Sequence, residues 1–185
     1  MAFSAIKNSD KVGLILFSDH IEKVVPPKKG KTHVLRLIRE LYTTKPTGRG
    51  TSIASALSYI NRLLDRKAIV VLASDFQDDN FDKQLKITNQ KHDLVSIIVN
   101  DEHEETLPNL GIIPLRDSES NQEILIDTSS KKVRKTWKQL SSERTIAIEQ
   151  TLRRCNVDQI HIQTGEPFTN ALRQFFRRRE GKRTA

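Results

Sequence analysis

Lys67-Ala-Ile-Val-Val-Leu-Ala-Ser-Asp75-Phe76 is the stretch on which the fold turns. Residues 68–73 are uninterruptedly apolar and three of them are β-branched. That pattern predicts a strand buried on both faces, as in the centre of a parallel sheet. A buried helix is the other reading of such a run, but the short length and the polar break at Ser74-Asp75 favour a strand. Asp75 then stands at its carboxyl end, the edge where open α/β sheets bind ligands.

Two further runs behave in the same way. Lys11-Val-Gly-Leu-Ile-Leu-Phe17 and Leu94-Val-Ser-Ile-Ile-Val99 predict buried strands, the second running into the acidic cluster Asp101-Glu-His-Glu-Glu105. After Ser18-Asp19-His20, Ile21-Glu-Lys-Val-Val25 reads as an antiparallel edge strand stopped by Pro26-Pro27. Helices are predicted from Thr32 as cap, with Val34, Leu35, Leu37, Ile38 and Leu41 in period, and from the Gly50-Thr51-Ser52 turn, with Ile53, Ala56, Leu57, Ile60, Leu63 and Leu64 as its stripe. Others span residues 81–90 and, from Ser129 or Ser130, a long polar stretch to Arg154. A helical turn is expected at residues 1–6, a hairpin at 112–115 and 123–126, and a last strand at 157–162. The final helix starts at Pro167, with Phe168, Leu172, Phe175 and Phe176 as its core side. Strands alternating with helices give an α/β class, three-layer, with a mainly parallel doubly wound sheet and an antiparallel edge hairpin. No linker divides residues 1–185, so one domain is expected.

Composition narrows the function. With 185 residues, 36% hydrophobic and 29% charged, the chain suits a globular domain, and no apolar run is long enough to span a membrane. The lone Cys155 excludes an internal disulfide and fits a reducing, cytoplasmic setting. From Lys131 onward there are 14 Lys and Arg against 5 Asp and Glu, a surplus of nine positive charges in a chain of net charge +8. Such a region could meet nucleic acid or another anionic surface, through residues 131–138 and 177–183; a solvated surface is the plainer account. Aromatic content of 5% argues against sequence-specific recognition of bases.

Several motifs carry groups with chemical potential. Gly48-Arg-Gly50-Thr51-Ser52 lacks the lysine and spacing of a phosphate loop, so it reads as a turn and helix cap, or as a source of a hydroxyl for a hard cation. Asp75, Asp78 and Asp79 would make a hydrolase only if carboxylates converged with a nucleophile or base. His20, His33, His92, His103 and His161 lack metal-ligand spacing.

Taken in order, Lys11-Val-Gly-Leu-Ile-Leu-Phe-Ser-Asp19, Gly50-Thr51, Ile69-Val-Val-Leu-Ala-Ser-Asp75-Phe, Lys91-His-Asp93, Asp101-x-x-Glu104-x-x-Leu-Pro108 and Asp117-x-Glu119 resemble the bacterial domain-of-unknown-function family fifty-eight, whose core is a von Willebrand factor A-like (vWA) domain. The resemblance runs over nearly the whole chain. It implies a metal-ion-dependent adhesion site (MIDAS) for Mg²⁺, in which Thr51 supplies the threonine and Asp75 the aspartate. Ser52, Asp78, Asp101 and Glu104 are then the expected partner-binding residues. The Asp-x-Ser-x-Ser part of such a site is not in this sequence. The resemblance places it, with its strand, upstream of Met1, so an N-terminally truncated chain with a gap between the strands at residues 12–17 and 69–73 is expected, and weak Mg²⁺ binding with it. It further implies a non-enzymatic interaction module serving a MoxR-type AAA+ ATPase in chaperone-like work.

Overall fold

The computed structural model describes residues 9–116 and 123–183. The expected turn at residues 1–6 and the Asp117-x-Glu119 hairpin tip lie outside them. The elements are β1 (Val12–Phe17), β2 (Ile21–Lys28), α1 (Lys31–Thr43), α2 (Ile53–Leu63), β3 (Ile69–Ser74), α3 (Asp82–Lys91), β4 (Asp93–Asn100), the single turn α4 (Glu102–Glu105), β5 (Ile112–Arg116), β6 (Glu123–Asp127), α5 (Lys131–Arg154), β7 (Asp158–Gln163) and α6 (Thr169–Arg183). The class is mixed α/β, with β3, β4 and β7 in one parallel sheet and β4 at its centre. The pairs β1–β2 and β5–β6 are separate antiparallel hairpins. Among the described residues no ladder joins β1 to β3.

The parallel register puts Val70 and Leu72 of β3 on the same face as Leu94 and Ile98 of β4. That face is sealed by Ile53 and Leu57 of α2, Leu85 of α3, Leu152 of α5, and Phe76, Phe81, Cys155 and Val157 from the connections. The stripes work as sequence periodicity dictates: one turn of α2 puts Ile53, Ala56 and Leu57 on the buried side. The opposite face is covered unevenly. Val95 and Ile160 are buried, and α6 lies against β7, but Ile69 and Val71 of β3 are 71% and 39% exposed. The expectation that β3 is buried on both faces is therefore corrected. It is an edge strand with one covered face, and β4 is the strand enclosed on both sides.

Three other expectations change. β2 runs on to Lys28 through Pro26 and Pro27 instead of stopping before them. The register slips between Val12 and Leu14, whose partners are Lys28 and Val25, so the prolines sit in a bulge where no ladder bond is asked of them. Gly13 lies opposite, and a Cβ there would meet the Val25 carbonyl oxygen at 3.0 Å and Pro27 at 3.1 Å. Helix α1 is capped by Gly30, not Thr32, without a side-chain bond. The apolar side of α6 is only half used: Leu172 and Phe175 are half-buried, while Phe168 and Phe176 are exposed. What fixes α6 is Arg179, whose guanidinium lies 5.4 Å from the Phe175 ring centroid and reaches Asp93 and Asp158 at the starts of β4 and β7. Ser130 caps α5 as expected, and the hairpin at 112–116 and 123–127 is present.

Candidate functional site

Parallel strands deliver their carboxyl ends to one edge, and β3 delivers Ser74 and Asp75. The chain then turns sharply. Phe76 adopts φ +58° and is buried, its ring 5.8 Å from that of Phe81. Burying this side chain reverses the backbone and leaves Asp75 exposed. The Asp75 carboxylate accepts from the Gln77 amide at 3.1 Å, and the Ser74 hydroxyl accepts from the Phe76 amide at 3.0 Å.

Three residues on, Asp78 crosses to the other candidate segment. Its carboxylate accepts from the Ile53 amide at 2.7 Å, at the start of α2. An acidic side chain there satisfies an otherwise unpaired helix amide and complements the helix dipole. Ser52 caps the same helix by accepting from the Ser55 amide. The Ser52 amide donates to the carbonyl of Ser18, just after β1, at 2.7 Å. The turn bearing Thr51 is thus tied to the end of β1 on one side and to the loop after β3 on the other. Thr51, Ser52, Asp75 and Asp78 are brought to one edge. Asp101 follows β4 at the same carboxyl edge, but its bonds run away from Thr51: Thr164, after β7, donates to the Asp101 carboxylate at 2.5 Å, and the Glu104 carbonyl accepts from the Trp137 indole of α5 at 2.8 Å.

A second cluster underpins the Thr51 turn. Glu22 of β2 accepts from the Thr47 and Gly48 amides and the Thr47 hydroxyl, each at 2.8 Å, and from the Ser18 hydroxyl at 2.7 Å. These donors, the Gly48 amide first, hold its carboxyl far below the ordinary value, at about 2. His20 bonds Asp19 at 2.5 Å and Thr47 at 3.1 Å; the bond to Asp19 raises the imidazole and lowers the carboxyl. Gly48 has no room for a side chain, because a Cβ would collide with Asp19 and the Ser18 hydroxyl. The sequence marked Ser18-Asp19-His20 only as a turn and did not single out Glu22 or Thr47. The one available signal was an acid within a short apolar strand.

Beside the site an open cleft of about 450 Å³ is lined by Phe76, Asp78, Asp79, Phe81, Arg144 and Ile148 among others. Among the described residues, no three His, Cys, Asp or Glu side chains gather closely enough to hold a metal ion. The donors at this edge suit a hard cation in kind, since Mg²⁺ takes one or two carboxylates and keeps several waters, but they are few. Cys155 is buried and its thiol is pushed up by that burial, which suits packing rather than nucleophilic chemistry.

The architecture and this loop edge define an α/β protein with a polar, oxygen-rich end to its parallel sheet. The chain belongs to the family described as protein of unknown function DUF58, whose profile matches residues 1–146. It is 24% identical over 160 residues to uncharacterized protein MAV169 of Mycobacterium avium, covering 84% of this chain and 93% of that protein. It is equally similar to uncharacterized protein Rv1480 of Mycobacterium tuberculosis, with 84% of this chain and 50% of that protein covered. The chain therefore spans about half the length of that relative. Among solved structures it is similar to the conserved hypothetical protein BatB from Bacteroides thetaiotaomicron, with a TM-score of 0.54 and 13% identity over 96% of this chain and 84% of that one. That likeness concerns the fold alone.

Proposed function

We propose that the chain is a non-enzymatic, cytoplasmic interaction module of vWA type that captures a protein partner through a divalent cation at the Thr51–Asp75 edge. The observation that carries this reading is the pair of bonds that fasten the Thr51 turn between the Ser18 carbonyl and the Asp78 carboxylate. The Thr51 hydroxyl and the Asp75 carboxylate would hold Mg²⁺, while Ser52 and Asp78 keep their loops in place. When bound, the cation supplies an open coordination position for an acidic side chain of the partner. The resemblance to vWA proteins makes a MoxR-type AAA+ ATPase the partner to test first. Among the described residues one edge of β3 pairs with no strand, which supports the further proposal that this site is completed by one more strand, beside β3 and carrying additional hydroxyl and carboxylate ligands.

Immobilised chain is expected to retain a purified MoxR-type ATPase in Mg²⁺ and to release it in EDTA, with Asp75→Ala losing the retention. Equal capture with and without EDTA sinks the reading. The basic surface offers a second one: Lys131, Lys132, Lys135, Lys138, Arg177 and Arg178 are exposed. It predicts binding to nucleic acid that falls steeply with salt and ignores EDTA. Hydrolysis centred on Asp75 is the remaining alternative, and turnover lost in Asp75→Asn would revive it.

A further inference from the structure

The Thr51 turn is held from behind by one carboxylate, and that carboxylate is built as a receptor. Glu22 has a side chain only 7% exposed, although it carries a charge. A carboxylate offers about four acceptor positions, and here four donors converge on it: the Thr47 and Gly48 amides and the Ser18 hydroxyl on Oε1, and the Thr47 hydroxyl on Oε2. Among its described partners the nearest group able to carry a positive charge is His20, at 3.5 Å. The charge is therefore stabilised mainly by oriented dipoles. Such an arrangement fixes direction as well as distance, because hydrogen bonds to a charged acceptor are directional and both carboxylate oxygens are engaged. Two successive amides aimed at one carboxylate also fix the backbone dihedrals between them.

The consequence lies a few residues downstream. From Gly48 the chain has only Arg49, Gly50 and Thr51 before the Ser52 amide reaches the Ser18 carbonyl. Ser18 thus takes part twice, through its hydroxyl on Glu22 and its carbonyl on Ser52. The segment is pinned at both ends to the same corner of the β1–β2 hairpin. We propose that Glu22 is the positioning residue of the Thr51 turn, fixing residues 47–52 so that Thr51 faces the loop carrying Asp75. Its functional half rests on the cation reading given above; its structural half stands without it.

Glu22→Gln is the sharp probe. It keeps the shape but turns one acceptor oxygen into an NH₂ group that faces donors, leaving buried groups without partners. The full chain and the variant are compared by amide hydrogen exchange and by Mn²⁺ titration, at a temperature where both are folded. Exchange at Thr47, Gly48 and Ser52 is expected to speed up about tenfold, the factor for losing one bond to a charged group, while Val70 and Val95 in the sheet stay unchanged. Mn²⁺ should bind about tenfold more weakly to Glu22→Gln, a change that a merely stabilising residue would not produce in fully folded protein. Unchanged exchange at Ser52, or unchanged Mn²⁺ affinity beside faster exchange, overturns the proposal. If the parent chain shows no Mn²⁺ affinity that Asp75→Ala removes, the cation reading falls, and exchange at Ser52 alone decides the positioning role. Should Glu22→Gln fail to fold, Thr47→Val deletes one of the four donors and leaves both amides; about threefold faster Ser52 exchange supports the role, and unchanged exchange overturns it.

Discussion

Around Leu85 and Leu94 the molecule is dry, with apolar side chains from α2, α3 and α5 closed over one face of the sheet. Around Glu22 it is polar and half-open, with two carboxylates, an imidazole and four hydroxyl or amide groups gathered under a loop. The two regions hold their loops by different means. Apolar packing scales with buried area and has no preferred direction. Hydrogen bonds to a charged acceptor are directional and costly to leave unmade. The Asp75 loop is attached through Phe76, which belongs to the dry region; the Thr51 turn is attached through Glu22 and Ser18. A site spanning both would take its stability from one and its aim from the other.

The largest expected effect breaks the dry side. Leu85 is fully buried, so Leu85→Ala should cost about 3 kcal/mol, the transfer term plus a cavity. Urea unfolding would show the midpoint falling with little change in slope. A loss below about 1 kcal/mol would mean that the cluster around Leu85 collapses easily and is not the rigid half of the molecule.

Next comes pH, because each region contains a histidine and the two are perturbed in opposite senses. His92 is 1% exposed and neither ring nitrogen has a hydrogen-bond partner. Burial first, and the charge of Lys91 second, lower its pKa from 6.5. A histidine lowered on folding contributes stability that is present above its unfolded value and is lost as pH falls through the folded one. His20 is raised by its bond to Asp19, so its contribution is complete below 6.5 and disappears as pH rises through the folded value. After correction for intrinsic exchange, β4 amides should gain protection between about pH 5 and about pH 8, while Thr47 and Gly48 lose it. His92→Phe should flatten the β4 response and leave the loop response alone. A common sign in both regions would refute the contrast.

This division also explains how far the sequence could be read. Parallel strands, hydroxyl caps at 51–52 and 129–130 to within one residue, the β5–β6 hairpin and the placement of Asp75 all follow from local patterns, and the structure has them, with Ser52 and Ser130 as the caps. Pro26-Pro27 misled because a bulge opposite Gly13 is a pairing property, which a single strand does not display. Glu22 was illegible for a similar reason: its donors Thr47 and Gly48 lie 25 and 26 residues downstream, and nothing in the spacing announces them. Residues 68–73 misled in the other direction. An unbroken apolar run reports that both sides avoid charge, not that both are covered.

That last point gives the smallest and most discriminating prediction. Ile69 and Val70 are adjacent in β3 and point to opposite faces, Val70 buried and Ile69 71% exposed. Ile69→Thr keeps β-branching and strand propensity and removes only apolar area already in water, so it should change stability by less than about 0.5 kcal/mol. Val70→Thr places a hydroxyl in the dry face and should cost about 1–3 kcal/mol. The ratio of the two, read by urea unfolding, measures how one-sided the strand is. If Ile69→Thr costs as much as Val70→Thr, the outer face of β3 is covered in solution. Concentration dependence of the unfolding midpoint would then tell a second copy, whose cover is lost on dilution, from a segment of the same chain, whose cover is not.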